Sequence, residues 1–275
     1  MTLSATTAKQ KGNVQYHINC KPGDLAEYIL LVGDPDRVEK IEKKLSSVTF
    51  RMQHREYTIL TGEYQGVPLS VMATGIGHDN TEIAIIESSQ LTKNPTFIRC
   101  GTCGALQKDI AVGDLVVSTG SVRIENTTSH FVVDGFPAVA HTDVTMALTM
   151  AAQHIQTKFH AGLTASASGF YGAQGREIPG FHVRNKNLIS ELEKTHVLNM
   201  EMETSTLFVL SHLRKARAGA VCAVFANRIT DEFGEEGVRL KAEDQCIDVA
   251  LSAFKFLAQM DQQKTHDNLW VPKLI

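Results

Sequence analysis

The chain has 275 residues, enough for one large domain or two small ones. Apolar residues make up 43% and charged residues 21%, ordinary for a folded protein, and 27 basic against 30 acidic side chains leave a net charge of −3 with histidine neutral. That balance argues against a dedicated nucleic-acid binder; no run reaches the roughly 18 apolar residues of a membrane span, and the polar stretch Met1–Gly12 lacks the apolar core of a signal peptide, so no membrane partner and a cytoplasmic location are expected.

Residues 1–15 read as a flexible N-terminal tail and 16–275 as a single domain. Tyr28 to Val32 is a short apolar run typical of a buried strand. Gly33 stops it, Asp34 suits a helix cap and Pro35 a first helical position, with Val38, Ile41 and Leu45 on one face of the helix that follows. Val48–Met52, Tyr57–Glu63 and Val67–Ala73 read as strands, the last two joined by a Gln65-Gly66 hairpin. A helix capped by Asp79 or Asn80 is expected to reach Leu91, then a strand over Thr96–Cys100 and a tight turn over Gly101–Gly104. Further strands are predicted at Asp114–Thr119, Ala161–Ser168, Val197–Met202 and Gly219–Ala226. Helices are predicted at Val144–Gln156, Leu188–Lys194, Thr204–Arg214 and Leu240–Met260. The glycines and acids of Asp231 to Val238 suggest a mobile lid. This alternation predicts an α/β fold, a mixed central sheet flanked by helices, with ligands bound beyond the carboxyl ends of its strands.

Five cysteines, an odd count, suit a reducing compartment. Cys100 and Cys103 have dithiol spacing but no zinc-completing partners, and a small-residue turn is the better reading. The histidines show no metal-ligand spacing, and no Walker loop, Rossmann fingerprint or nucleophile elbow is present.

Three constellations carry chemistry. Gly33 at a strand-to-helix turn, Arg37 in the following first turn, and Arg99 with Thr102 at another strand end together suit a phosphate group, for which arginine offers paired, charge-assisted bonds. Glu201 and Glu203 share a face if their strand persists, and two such carboxylates suit a vicinal diol; Glu203 also fits the start of the next helix. Phe170, Gln174 and Arg176 on a glycine-rich loop offer a stacking face, one amide and a set of donors, which matches a pyrimidine ring, although a solvated loop fits the same residues.

The motifs Val32-Gly33-Asp34-Pro35-Asp36-Arg37, His54-Arg55-Glu56, Thr74-Gly75-Ile76-Gly77, Ile98 to Gly104 and Glu201-Met202-Glu203 resemble those of the hexameric purine-nucleoside and uridine phosphorylase family from about Tyr16 to Ala258. The resemblance implies a phosphate site of Gly33, Arg37, Arg99 and Thr102, with Arg55 reaching a neighbouring subunit. It implies a ribose site of Glu201, Met202 and Glu203, with His17, beside Tyr16, lent by a partner subunit. Purine members place an aspartate where this chain has Asn227-Arg228, and Gln174 and Arg176 resemble a uracil-binding pair oriented by Arg228, with Phe170 beside them. The implied activity is reversible phosphorolysis of uridine, with Glu203, Arg176, Gln174 and Arg99 in the catalytic set, inorganic phosphate as co-substrate and no required cofactor. A purine nucleoside phosphorylase of the same fold is the alternative, ahead of a nucleosidase, a non-catalytic sensor or a redox protein. Shared sites imply a homo-oligomer, at least a dimer and by family habit a trimer of dimers. Glu56, Ile76 and Asn80 match an intersubunit potassium site, although a serine usually stands at Asn80. Phe225 and Ala226 replace residues that are more often aliphatic, and the loop Gly172 to Pro179 also departs from the family pattern, which bears on 5-substituted uracils.

Overall fold

In the first strand, β1 (Tyr28–Val32), the alternation of side chains builds both sides of the molecule. Leu30 and Val32 enter one core, and Ile29 and Leu31 enter a second on the opposite face. The structure is a computed structural model and describes residues 11–264 with Trp270 and Val271. Residues 1–10 of the expected tail lie outside that description; Lys11–Asn13 form a short 3-10 turn and Gln15 is buried. Helix α1 (Pro35–Glu42) starts as its sequence predicts, with the Asp34 side chain accepting the Asp36 N–H. Strands β2 (Ser47–His54), β3 (Tyr57–Tyr64) and β4 (Val67–Ala73) run antiparallel, and Gln65 and Gly66 both take positive φ at the predicted hairpin.

The remaining elements are α2 (His78–Ser89), β5 (Thr96–Ala105), β6 (Leu115–Ile124), β7 (Ala138–Val139), α3 (Thr142–Ile155), β8 (Phe159–Ala167), α4 (Leu188–Lys194), β9 (Asn199–Glu201), α5 (Thr204–Arg214), β10 (Arg217–Asn227), β11 (Glu232–Phe233) and α6 (Glu236–Gln263). One mixed sheet carries the order β11-β10-β6-β8-β9-β5-β1-β4-β3-β2. Because β10 also pairs with β5, the strands β5, β10, β6, β8 and β9 close into a ring. Helices α1, α3 and α6 supply the first core; α2 and α5 supply the second. Parallel β1, β4 and β5 all end on one side, which puts Gly33, Gly75 and the end of β5 together.

Two expectations need correction. Gly101–Gly104 is not a turn: β5 runs through it, paired with β10 from Cys222 opposite Gly101 to Ala226 opposite Gly104, with a bulge at Phe225. Its glycines serve close packing, since a Cβ on Gly101 would stand 2.9 Å from Arg99 Nη2 and 3.1 Å from Cys222 Sγ. On this extended strand Cys100 joins the α6 core and Cys103 a separate cluster, so the two thiols are not a dithiol pair. Neither Asp79 nor Asn80 caps α2; the cap position is Gly77, whose φ of 102° favours glycine and whose N–H donates to Glu203. Residues Asp231 to Val238, the segment expected as a lid, carry β11, which pairs with the end of β10, and the start of α6 at Glu236.

Candidate active site

A cavity of about 710 Å³ opens where those strand ends meet. Its lining includes Gly33, Arg37, Arg99 and Thr102, then Glu201, Met202 and Glu203, then Phe170, Gln174 and Arg176. The three constellations, dispersed along the sequence, therefore share one wall.

Arg99 is the hinge between the first two. It is 6% exposed and donates from Nε to Glu201 Oε2 at 3.1 Å and from Nη2 to Glu203 Oε2. Burial alone would lower its pKa, but Glu203 and Glu201 outweigh that and hold the guanidinium above its ordinary value.

The strand does not persist to Glu203. β9 stops at Glu201, and Glu203 takes the cap position of α5 with φ −146° and no side-chain cap bond. The two acids consequently differ in employment. Glu201 is saturated: besides Arg99 it accepts the Ser166 hydroxyl and the N–H groups of Glu203 and Thr204 at 2.9 and 3.0 Å, so it caps α5. Burial pushes its pKa up, but Arg99 and the Ser166 hydrogen bond outweigh this and hold it below the usual range. Glu203 accepts the Gly77 N–H at 2.7 Å. Burial outweighs Arg99 there and, with the charge of Glu201, pushes Glu203 up.

The loop before α4 is more ordered than its composition suggests. Gln174 is buried in a 3-10 turn (Gly172–Gln174), and Arg176 donates to its Oε1 at 2.5 Å and to the Phe170 carbonyl at 2.6 Å. The guanidinium carbon sits 3.8 Å from the centre of the Phe170 ring. Burial and then the charge of Arg228 pull Arg176 down to about 10, so it stays protonated at neutral pH. Phe225, Ala226 and Phe233 complete this end of the lining.

A family model described as the phosphorylase superfamily matches residues 27–260. The chain belongs to the phosphorylase superfamily. A uridine phosphorylase of Thermococcus kodakarensis is 44% identical across 98% of this chain and 97% of its own length. The uridine phosphorylase of Escherichia coli is 38% identical across 88% of this chain and 97% of its own. A solved Trypanosoma brucei nucleoside phosphorylase, reported to show uridine phosphorylase activity, superposes with a TM-score of 0.84 at 26% identity over 90% of this chain and 98% of that one.

Some expected site residues of this superfamily member do not line its own cavity. His17 is held by Glu87, which accepts its backbone N–H at 3.0 Å and lies 2.6 Å from its Nδ1. Arg55, at a positive φ in the β2–β3 turn, donates to the exposed Tyr16 hydroxyl at 3.2 Å. Arg228 stands behind the lining and donates to the Gln174 carbonyl at 3.2 Å. Asn227 is also turned away: its amide donates to the carbonyls of Gln107 and Ile110, and its oxygen accepts the N–H groups of Ile229 and Thr230. No acid stands at that point of the superfamily member.

Glu56 and Ile76 line the cavity, and Asn80 approaches beside them; a Cβ on Gly75 would lie 2.7 Å from Asn80 Nδ2 and 3.6 Å from Glu56 Cγ. A carboxylate, an amide oxygen and a backbone carbonyl are hard donors, so these three residues are of the type that could hold a monovalent cation. Among the described residues no three His, Cys, Asp or Glu side chains gather as a site for a metal ion, and no helix is long and apolar enough to cross a membrane.

Ser166, which donates to Glu201, and Phe233, which lines the cavity, are not singled out by any sequence signal. Ser166 alternates with Thr164 along β8, but its carboxylate partner lies 35 residues away.

Proposed function

We propose that the chain catalyses the reversible phosphorolysis of uridine, giving uracil and ribose 1-phosphate. The observation that carries this is the shared wall: arginines with a strand-end glycine and threonine, then Glu203, then the Phe170–Gln174–Arg176 cluster, all on one cavity.

Inorganic phosphate is held by Arg37, Arg99, Thr102 and the Gly33 backbone at the start of α1, where free N–H groups and the helix dipole favour an anion. Arg99 uses Nε and Nη2 on the two carboxylates, which leaves Nη1 for the phosphate. Ionised Glu203 accepts the ribose hydroxyls, and Glu201 fixes Arg99 and the start of α5. As the glycosidic bond breaks, positive charge grows on the sugar beside the phosphate, and uracil leaves as an anion spread over its carbonyl oxygens. Arg176 donates to that anion, Gln174 offers its amide N–H groups, and Arg228 holds the Gln174 backbone. Catalysis is positioning and electrostatics, with no covalent enzyme intermediate.

The purine alternative needs an acid that protonates the base, and Asn227 is an amide committed to a turn. His17 and Arg55 lie off their own cavity, which suits their delivery to a neighbouring copy in a dimer or a trimer of dimers. A monovalent cation such as potassium would be held by Glu56, Ile76 and Asn80 and would supply positive charge at the cavity rim. Five free, buried thiols suit a reducing compartment, and the cytoplasm is the proposed location.

The test is uracil release from uridine with and without inorganic phosphate, with ribose 1-phosphate quantified. Equimolar, strictly phosphate-dependent products are expected; release into phosphate-free buffer would make the chain a hydrolase.

A further inference from the structure

Arg37 brings its charge to the cavity from the first turn of α1, and its one carboxylate partner among the described residues is Glu243 of α6. Glu243 is 8% exposed. Its Oε1 lies 3.4 Å from Arg37 Nε and accepts Lys40 Nζ at 2.8 Å. Arg37 and Lys40 are three residues apart on one face of α1, so a single carboxylate ties both cations to α6. Arg37 Nε itself makes no hydrogen bond among the described residues. The contact with Glu243 is thus an ion pair without a hydrogen bond, and it lies on the Nε side of the guanidinium, which leaves the far end for a ligand.

A free arginine side chain carries considerable rotamer entropy, and binding an anion with it means losing that freedom. An arginine already held in place loses less. We infer that Glu243 is a positioning residue for Arg37: it fixes the guanidinium toward the cavity before inorganic phosphate arrives. The inference rests on the phosphorolysis reading for the identity of the anion.

Two effects of Glu243 oppose each other, and their balance has a measurable sign. As a negative charge near a bound dianion, Glu243 weakens phosphate binding by Coulomb repulsion. As an anchor for Arg37 it strengthens it. Positioning prevails if removing the carboxylate weakens phosphate binding although the site has become more positive.

The experiment compares KM for phosphate and KM for uridine in the wild type, Glu243→Ala, Glu243→Gln and Lys40→Ala. Glu243→Ala is expected to raise KM for phosphate about tenfold and to leave KM for uridine near wild type. Glu243→Gln, which keeps an oxygen acceptor, should fall between, and Lys40→Ala should stay near wild type because Glu243 still holds Arg37. A lower KM for phosphate in both Glu243 variants would show a carboxylate that only repels, and parallel losses for both substrates would show a purely structural one; either overturns the inference. The rise in Tm on adding phosphate without nucleoside ranks the same variants independently of turnover, and Glu243→Gln carries the test should Glu243→Ala not fold. If the wild type turns over no uridine, the functional reading fails, while the phosphate-induced shift in Tm still decides the role of Glu243.

Discussion

Arg99 and Arg176 face the same cavity from opposite kinds of surroundings. Arg99 projects from a central strand, is buried, and is gripped by two carboxylates that are themselves held by backbone N–H groups of Gly77, Glu203 and Thr204. Arg176 projects from a loop, lies against the half-exposed Phe170 ring, and its side-chain acceptors all come from that loop. The sugar and phosphate half is therefore part of the fold, whereas the base half is mounted on it. Chemistry common to many nucleosides can be built into a sheet; choice of base can change in a loop without disturbing that sheet.

The largest expected effect breaks the first half. Arg99→Ala strands two buried acids, so we expect a loss of about 3–5 kcal/mol of stability together with loss of phosphorolysis. Denaturant unfolding checks it, and an unaltered midpoint would mean that the carboxylates do not depend on Arg99. Next comes Arg176→Ala, expected to cost about a hundredfold in kcat/KM for uridine while stability changes by less than about 1 kcal/mol. Unchanged uridine turnover would remove Arg176 from the base site; a large fall in Tm would erase the contrast between the halves.

Acidification sharpens the division between Glu201 and Glu203. Glu203 is raised and Glu201 lowered, so on descending pH Glu203 gains a proton first. The acid limb of kcat/KM for uridine should lie above the ordinary glutamate range, and Glu203→Gln should be nearly inactive at every pH. A limb at or below that range would assign the ionisation elsewhere.

A smaller effect concerns Phe225, which lines the base half at a bulge. Phe225→Ile should raise the ratio of thymidine to uridine turnover by up to about tenfold, the scale of a methyl group in an apolar pocket. Equal ratios would place the 5-position away from Phe225. The smallest effect lies outside the cavity. Asp261, paired with Arg217 at 2.7 and 2.8 Å, is held down to about 2 against burial. Its folded pKa is depressed, so its contribution is present above its unfolded value of 3.8 and fades as pH falls toward 2. Asp261→Asn should flatten that part of the stability profile, as followed by Tm between pH 5 and 2.

The sequence exposed local features more fully than those that depend on distant strands. The Asp34-Pro35 start of α1 and the span Thr204–Arg214 of α5 emerged intact because caps and apolar period are local signals. Gly101–Gly104 was misread because glycine marks both turns and tight strand packing, and only the neighbouring β10 distinguishes them. The unequal work of Glu201 and Glu203 could not be read from their spacing, since it depends on where β9 ends and on Ser166 from another strand. Short β7 and β11, two residues each, carry too little pattern to register. Glu243 is one of several acids on the long helix α6, and its partners lie some two hundred residues earlier.

The most direct test of the account is base release from uridine, thymidine, cytidine and inosine, each with and without inorganic phosphate. Phosphate-dependent release of uracil is expected, with uridine preferred and inosine untouched. Release from inosine alone would move the chain to the purine branch and void the roles given to Gln174 and Arg176.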